Sequence, residues 1–531
     1  MDVTAWAWAS FLAVVLVVLT ILRRGRGSQP QGNRLPPGPK PWPVIGNLNL
    51  IGALPHRSIH ELSKQYGPLM QLRFGSFPVV VGSSAEMARF FLKTHDKVFA
   101  DRPRTAAGKH TTYNYSDVLW APYNAHFRRA RRLFATELFS AARLKSYKHI
   151  RHEEVSALLR DLAAAAHGAS GRAVPLRGHL FAATNGIISR VVLGKKYAEK
   201  EAGGSAAMAL EDLSGLIEEF FLLNGVINVG DFIPWFDWLD LQGYVRRMKK
   251  YSKKMDRFLE HVLEEHEERR RVKGEQFVAR DMVDVLLQLA DNPNRLDRDT
   301  VKALTQVRTP SLILPYFQPG YIYTIVDQDS DTSSVTMEWA MSEVLRNPEV
   351  LGKATKELDR VVGRDRMVME KDIPDLPYIE AIVKEAMRMH PVSPMLAPHL
   401  AREDASVNGH DIPAGTLVLV NVWAIGRDPT YWDAPEEFRP ERFMGSKIDV
   451  KGQDMELLPF GAGRRMCPGY SLGLKVVQLI VANLLHGFTW GLPDGTTMEQ
   501  LNMEEIYGLT TARKFPLEAV VEPKLQEHVF S

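Results

Sequence analysis

The stretch "PFGAGRRMCPGYSLG", residues 459–473, decides the fold. It carries Cys467, the single cysteine in a chain of 531 residues. One thiol forms no internal disulfide, so the chain does not read as a secreted, disulfide-stapled protein, and a reducing compartment fits it. Phe460, Gly463, Arg465, Cys467 and Gly469 follow the spacing F-x-x-G-x-R-x-C-x-G. The glycines permit tight turns and let the backbone approach a flat cofactor closely. Apolar periodicity resumes over residues 472–485 and predicts a helix there. A cysteine just ahead of a helix amino terminus gains from the N–H groups and the positive dipole end. That favours thiolate, the form that binds a metal. The rival is a dinucleotide fingerprint, but Met466 stands where its third glycine belongs and no strong strand precedes it.

Working outward, "KEAMRMHP" (384–391) places Glu385 and Arg388 three residues apart, on one face of a helix where they can pair. "FRPERF" (438–443) supplies Arg442 as a third partner. Alone, an E-x-x-R pair says little, since most such pairs are solvated surface. The order of the three motifs carries the information.

That ordered set resembles the cytochrome P-450 superfamily, in its microsomal plant type, and is similar to flavonoid 3′-monooxygenase-like members. The resemblance implies a mainly α fold with a small β portion: one large helical haem domain behind an N-terminal transmembrane helix. It implies haem b as cofactor, with Cys467 as the proximal iron ligand and Arg465 paired with a propionate. Phe460, Gly463 and Gly469 complete the haem loop by motif match. Glu385, Arg388 and Arg442 would form the buried ion triad that scaffolds the haem-binding core. "APYNAHFRRARR" (121–132) resembles the family's W-x-x-x-R helix. Arg131 is kept, but Phe127 stands where tryptophan is usual and offers no N–H donor. His399 matches a basic residue beside a propionate, with Trp423 expected nearby. Asp331 and Thr332 match the acid–alcohol pair that relays protons to dioxygen. Electrons would come from NADPH through a reductase on the same membrane face.

Organisation along the chain agrees. Residues 5–22 carry no charge and just span a bilayer core, Trp6 and Trp8 sit near one end, and "RRGR" follows. The charge follows the apolar run rather than preceding it, and no small-x-small site follows, so an anchor fits better than a cleaved signal. Residues 1–22 are thus read as an anchor and 23–47 as a basic, proline-rich hinge. The haem domain is 48–531, facing the cytosol from the endoplasmic reticulum. A net charge of +3 without an aromatic-interleaved basic tract gives no case for nucleic acid. "HVLEEH" (261–266) has the wrong spacing for a zinc helix. Residues 68–83 predict a hairpin turning near Gly75, and 416–425 a strand. Residues 231–250 read equally as a membrane-resting access segment or as an aromatic core segment followed by a basic face.

One stretch departs from the pattern. Residues 307–329, "VRTPSLILPYFQPGYIYTIVDQD", carry Pro310, Pro315 and Pro319, each costing about 3 kcal/mol inside a helix. Asp327, Gln328 and Asp329 replace the small residues expected ahead of Asp331. The stretch is read as an atypical insertion: either a gene-model or splicing artefact such as retained intron, or a tolerated surface insertion. The expected function is insertion of one oxygen atom from dioxygen into a small apolar plant metabolite. A flavonoid or phenylpropanoid is the first guess, and a terpenoid or fatty-acid-derived compound the next. The alternatives are a haem-binding but catalytically impaired protein, and an isomerase or dehydratase that needs no dioxygen.

Overall fold

The structure, a computed structural model, describes residues 34–169, 173–196, 210–291, 296–306, 332–493 and 495–530. The expected anchor, most of the hinge, the insertion 307–329 and Asp331 lie outside the described residues.

Helices dominate. In chain order the larger ones are α1 (Pro55–Tyr66), α2 (Ala125–Leu133), α3 (Lys148–Ala169), α4 (Leu176–Leu193), α5 (Leu210–Gly225), α6 (Tyr244–Lys273), α7 (Met282–Ala290), α8 (Arg298–Gln306), α9 (Thr332–Arg346), α10 (Pro348–Val361), α11 (Pro377–Met389) and α12 (Tyr470–Gly487). α6 is amphipathic: Met248, Tyr251, Met255, Phe258, Leu259, Val262, Leu263 and His266 bury one stripe at helical spacing, and its charges stay outside. α9 is buried all round from Ser334 to Leu345, as befits a helix through the middle of a large core. Apolar side chains of α3, α4, α9, α11 and α12 form the largest core cluster, with Leu158, Leu180, Met341, Ile382 and Ile480 at its centre. Arg177 of α4 reaches the fully buried Glu338 of α9 at 2.9 Å. No described helix is long and apolar enough to cross a membrane.

The main sheet has four strands: β1 (Leu69–Phe74), β2 (Phe77–Gly82), β3 (His399–Leu400) and β4 (Leu417–Val420), in the order β1-β2-β4-β3. The β1–β2 hairpin turns at Gly75 (φ +55°), as the sequence predicts. β4 runs parallel to β2 and antiparallel to β3, which brings His399 opposite Val418. The strand expected over 416–425 is cut short at Val420. The Asn421 side chain accepts the Ala424 N–H at 3.1 Å and caps a helical turn, Val422–Ile425.

Candidate functional site

The cysteine loop is shaped by its glycines. Gly461 and Gly463 take left-handed φ of +67° and +66°. At Gly463 a Cβ would lie 2.0 Å from the Leu92 carbonyl oxygen, so only glycine fits. The loop closes when the Cys467 N–H donates to the Phe460 carbonyl at 2.9 Å, and α12 starts three residues later with Gly469 at its cap. The thiol is exposed, and it faces two cavities. Gly463→Ala should disorder this loop: backbone strain alone costs roughly 1–3 kcal/mol, before the clash. The expected outcome is a lower haem content per protein and a lower urea midpoint than wild type.

The inner cavity, about 390 Å³, lies over the loop. Cys467, Phe460 and Gly469 form its floor, while Ile187, Phe220, Leu396 and Val476 contribute apolar wall. Thr332 and Thr336, from the first turns of α9, line it as well. Three arginines and a histidine gather on one flank: Arg102, Arg131, Arg465 and His399 all line it. Arg465 donates to the carbonyls of Ala100 and Ala121, both at 2.6 Å, and its guanidinium lies 3.9 Å from the Phe127 ring centre. Arg102 donates to the carbonyls of Leu119, Ala397 and Pro398 at 3.0, 2.7 and 2.6 Å. Among the described residues none of the three arginines forms an ion pair.

Burial pushes Arg465 down to about 10 and Arg102 well below the usual guanidinium range, and the two repel each other. Burial lowers Arg131 too, while the Cys467 sulfur pulls the other way. Burial and the Arg102 cation push His399 down to about 3, so its imidazole is neutral and its Nδ1–H donates to the Phe99 carbonyl at 2.8 Å. Carbonyl oxygens thus aim a cationic cluster with no carboxylate at ion-pair distance, although buried Asp117 on the same wall and Asp101 favour the Arg465 charge. The cluster asks for an anionic partner at the edge of an apolar slot floored by a thiol. Haem fits these residues: a flat apolar ring, two carboxylates and an iron that takes a thiolate.

Glu385, Arg388 and Arg442 form a buried ion triad. Arg388 grips Glu385 with two bonds of 2.7 and 2.8 Å, and Arg442 reaches Glu385 at 2.8 Å. None of the three lines the cavity. They tie α11 to the segment 426–443 that leads into the cysteine loop, so they belong to the scaffold.

Two expectations change. Trp423 does not line the cavity; it packs against His56, His60 and the Arg427 guanidinium, which lies 4.1 Å from its ring. The core reading of 231–250 fails at its start: Trp235, Phe236, Trp238 and Leu241 are exposed, Trp238 at 79%. The basic start of α6 does face solvent. Sequence reasoning missed Arg102. Its partners at 397 and 398 are distant in the chain, and an arginine in "FADRPR" carries no spacing signal.

A second cavity of about 350 Å³ adjoins the first, walled by Ile59, Phe74, Phe77, Trp120, Phe232 and Leu417. Asn224 in its wall is satisfied, accepting the Trp120 indole N–H and donating to the Phe220 carbonyl, both at 2.8 Å. Below the loop, a cleft of about 550 Å³ carries Arg131, Lys145, Lys148, Arg151 and Lys475 beside Cys467. Apart from these, His266, Asp281 and Asp284 cluster in the core, but Arg269 already spans both acids at 3.4 and 3.5 Å.

Comparison with known proteins agrees with this geometry. The sequence profile described as "Cytochrome P450" matches residues 36–308 and 329–517. The chain is 47% identical to a dimethylnonatriene synthase of Zea mays, covering 99% of this chain and 98% of the relative. It is 48% identical to a trimethyltridecatetraene synthase of the same plant, over 98% and 94%. It is 42% identical to a flavonoid 3′-monooxygenase of Arabidopsis thaliana, over 98% and 97%. A zebra fish cytochrome P450 solved with abiraterone superposes with a TM-score of 0.69 at 27% identity, covering 88% of this chain and 100% of that one. Its progesterone complex gives the same score, over 89% and 100%. A mainly helical body with a small sheet, a glycine-shaped cysteine loop and an apolar slot flanked by arginines thus place this chain in the cytochrome P-450 family, as a monooxygenase.

Proposed function

We propose that Cys467 is the proximal ligand of haem b, and that the chain oxygenates a small apolar plant metabolite with electrons passed from NADPH by a reductase. The observation that carries this reading is the Cys467 thiol facing an apolar slot whose flank holds cations but no paired carboxylate. Bound there, the haem supplies dioxygen activation, which its thiolate ligand favours. The chain's own residues do the rest. Arg102, Arg131 and Arg465 receive the two haem carboxylates, with His399 beside them. Phe127 stacks under Arg465 in place of the missing indole donor. Thr332 with Asp331 moves protons toward the distal face. The cationic cleft beside Cys467 suits an acidic reductase surface, and electrostatic steering favours that encounter.

The relatives named for acyclic hydrocarbons, at 47% and 48% identity, support a terpenoid-derived substrate. The apolar wall of both cavities supports it too. A flavonoid substrate is the second reading, supported by the 42% relative. Exposed Trp235, Trp238 and Leu241 support a domain resting on the endoplasmic reticulum, continuing the apolar run at 5–22. The break in the family match between 308 and 329 supports the alternative of a haem-binding but impaired protein.

One experiment separates these readings. The full chain and a version lacking residues 307–329 are each combined with a plant reductase, NADPH, and either naringenin or farnesol. Both versions should show a thiolate-type Soret band when reduced under carbon monoxide. The shortened version should turn over at least about tenfold faster, as expected when a proline-bearing stretch foreign to the family pattern, set directly before the proton-relay pair, costs catalytic alignment. A thiolate band without turnover in either version identifies the impaired protein. No such band in either version overturns the haem reading. Equal turnover makes 307–329 a tolerated insertion.

A further inference from the structure

The inner and outer cavities share four wall residues: Ser393, Leu396, Ala397 and Leu509. All four come from two loops, 391–398 and 507–511. The loops form a throat between the chambers, with Leu396 held in left-handed backbone (φ +51°). What fixes the throat lies largely behind the cavity walls. The Thr511 N–H donates to the Val392 carbonyl at 2.7 Å and binds one loop to the other. Trp339 of α9, itself 1% exposed, then donates its indole N–H to the Thr511 carbonyl at 3.3 Å. One face of the indole stacks on His390 at 4.0 Å and 2°. The Arg513 guanidinium lies 5.5 Å from the ring centre. His390 begins the first loop and Arg513 follows the second. Each is anchored in turn, His390 on Glu343 of α9 at 2.7 Å and Arg513 on the Asn502 carbonyl at 2.7 Å.

We infer that Trp339 is a positioning residue that sets the throat between the two chambers, and through it the discrimination between compact and extended apolar substrates. The inference rests on reading the inner cavity as the haem and substrate site. Haem seated on Cys467 takes the floor of the inner chamber. An extended apolar molecule must then reach through the throat to bury its far end, while a compact one need not. A tryptophan held by stacking and one hydrogen bond keeps both loops in register without touching substrate. Its loss therefore acts on molecules that use the throat, and much less on those that stop short of it.

The test uses the haem-loaded full chain, with Trp339→Leu and Trp339→Phe variants. Two probes are titrated against the ferric haem spectrum: limonene, a compact cyclic hydrocarbon, and farnesol, an extended acyclic alcohol. In Trp339→Leu the ratio of farnesol to limonene dissociation constants should rise about fivefold or more, the scale of a single coupled interaction between neighbouring groups, while the limonene constant moves less than about twofold. Trp339→Phe keeps a ring between His390 and Arg513 and should restore most of the wild-type ratio. An unchanged ratio in Trp339→Leu overturns the inference, as does an equal shift for both probes. So does failure of both variants to take up haem, which would make Trp339 a packing residue only. A wild type that binds haem as thiolate but responds to neither probe overturns the cavity reading and this inference with it.

Discussion

Cys467→His is expected to abolish the thiolate-type carbon monoxide spectrum and to lower turnover by a factor on the order of 10⁴ or more, the scale seen when a group essential to the chemical step is removed. The argument starts from charge. Cys467 precedes α12 by three residues and faces the inner cavity. A thiolate brings a full negative charge to the iron, whereas an imidazole brings none. The electron release that favours dioxygen cleavage therefore goes with the sulfur. Arg131 also loses a stabilising neighbour, since the Cys467 sulfur offsets part of what burial costs its charge. Arg102 and Arg465 keep their carbonyl partners in the variant, so the haem carboxylates still have a place to bind. Haem uptake should therefore fall less than activity. The reduced carbon monoxide band should move to the position typical of an imidazole ligand. If a thiolate-type band survives in Cys467→His, the ligand assignment is wrong.

What the sequence made legible follows from where the information sits. The cysteine loop is local: its glycines, arginine and thiol lie within ten residues, and backbone strain at Gly463 fixes the spacing. The ion triad is nearly as local, because Glu385 and Arg388 share one helical turn and Arg442 follows in a short motif. The β1–β2 hairpin announced itself by alternation and a glycine turn. The cation cluster at the cavity was legible only in part, because Arg102 finds its carbonyl partners almost three hundred residues away. The Trp339 junction was invisible for the same reason, since it is made by a helix and two loops that meet only in three dimensions. Trp423 sits away from the cavity because the chain leaves β4 at Val420 and turns helical over Val422–Ile425, where its ring packs on His56 and His60. The 416–425 strand was overextended because the apolar alternation runs on through Asn421, whose side chain caps a turn instead. At 231–250 composition pointed both ways. Tryptophan and phenylalanine normally mean core, and here they lie on the surface.

Glu385→Ala should be among the most destabilising single changes outside the cavity, by roughly 3–5 kcal/mol, the cost of leaving a buried ion without its partner. Glu385 and Arg388 side chains are fully buried and Arg442 nearly so. Glu385 accepts from both arginines and also from the Arg439 N–H at 2.8 Å, so its removal takes the acceptor from four N–H groups of three residues at once. The arginines are not equivalent. Arg388 also donates to the carbonyls of Gly426, Pro435 and Glu437, at 2.5, 2.8 and 3.2 Å. Arg442 donates to those of Asp433, Ala434 and Glu437, on the more exposed rim of the same segment. Arg388→Ala therefore takes the donor from a buried carboxylate and from three carbonyls together, and should cost at least as much as Glu385→Ala. Arg442→Ala should cost clearly less, because water can replace its outer bonds. Replacing Glu385 and Arg388 together by leucine and methionine removes both buried charges. It should recover part of the loss but not all of it, since the carbonyls of Gly426 and Pro435 still lack their donor and Arg442 is left without its carboxylate. Urea midpoints, read together with haem content, measure this order. A loss below about 1 kcal/mol for Glu385→Ala, the average for an unremarkable substitution, would mean that the triad does not hold α11 to the cysteine-loop segment.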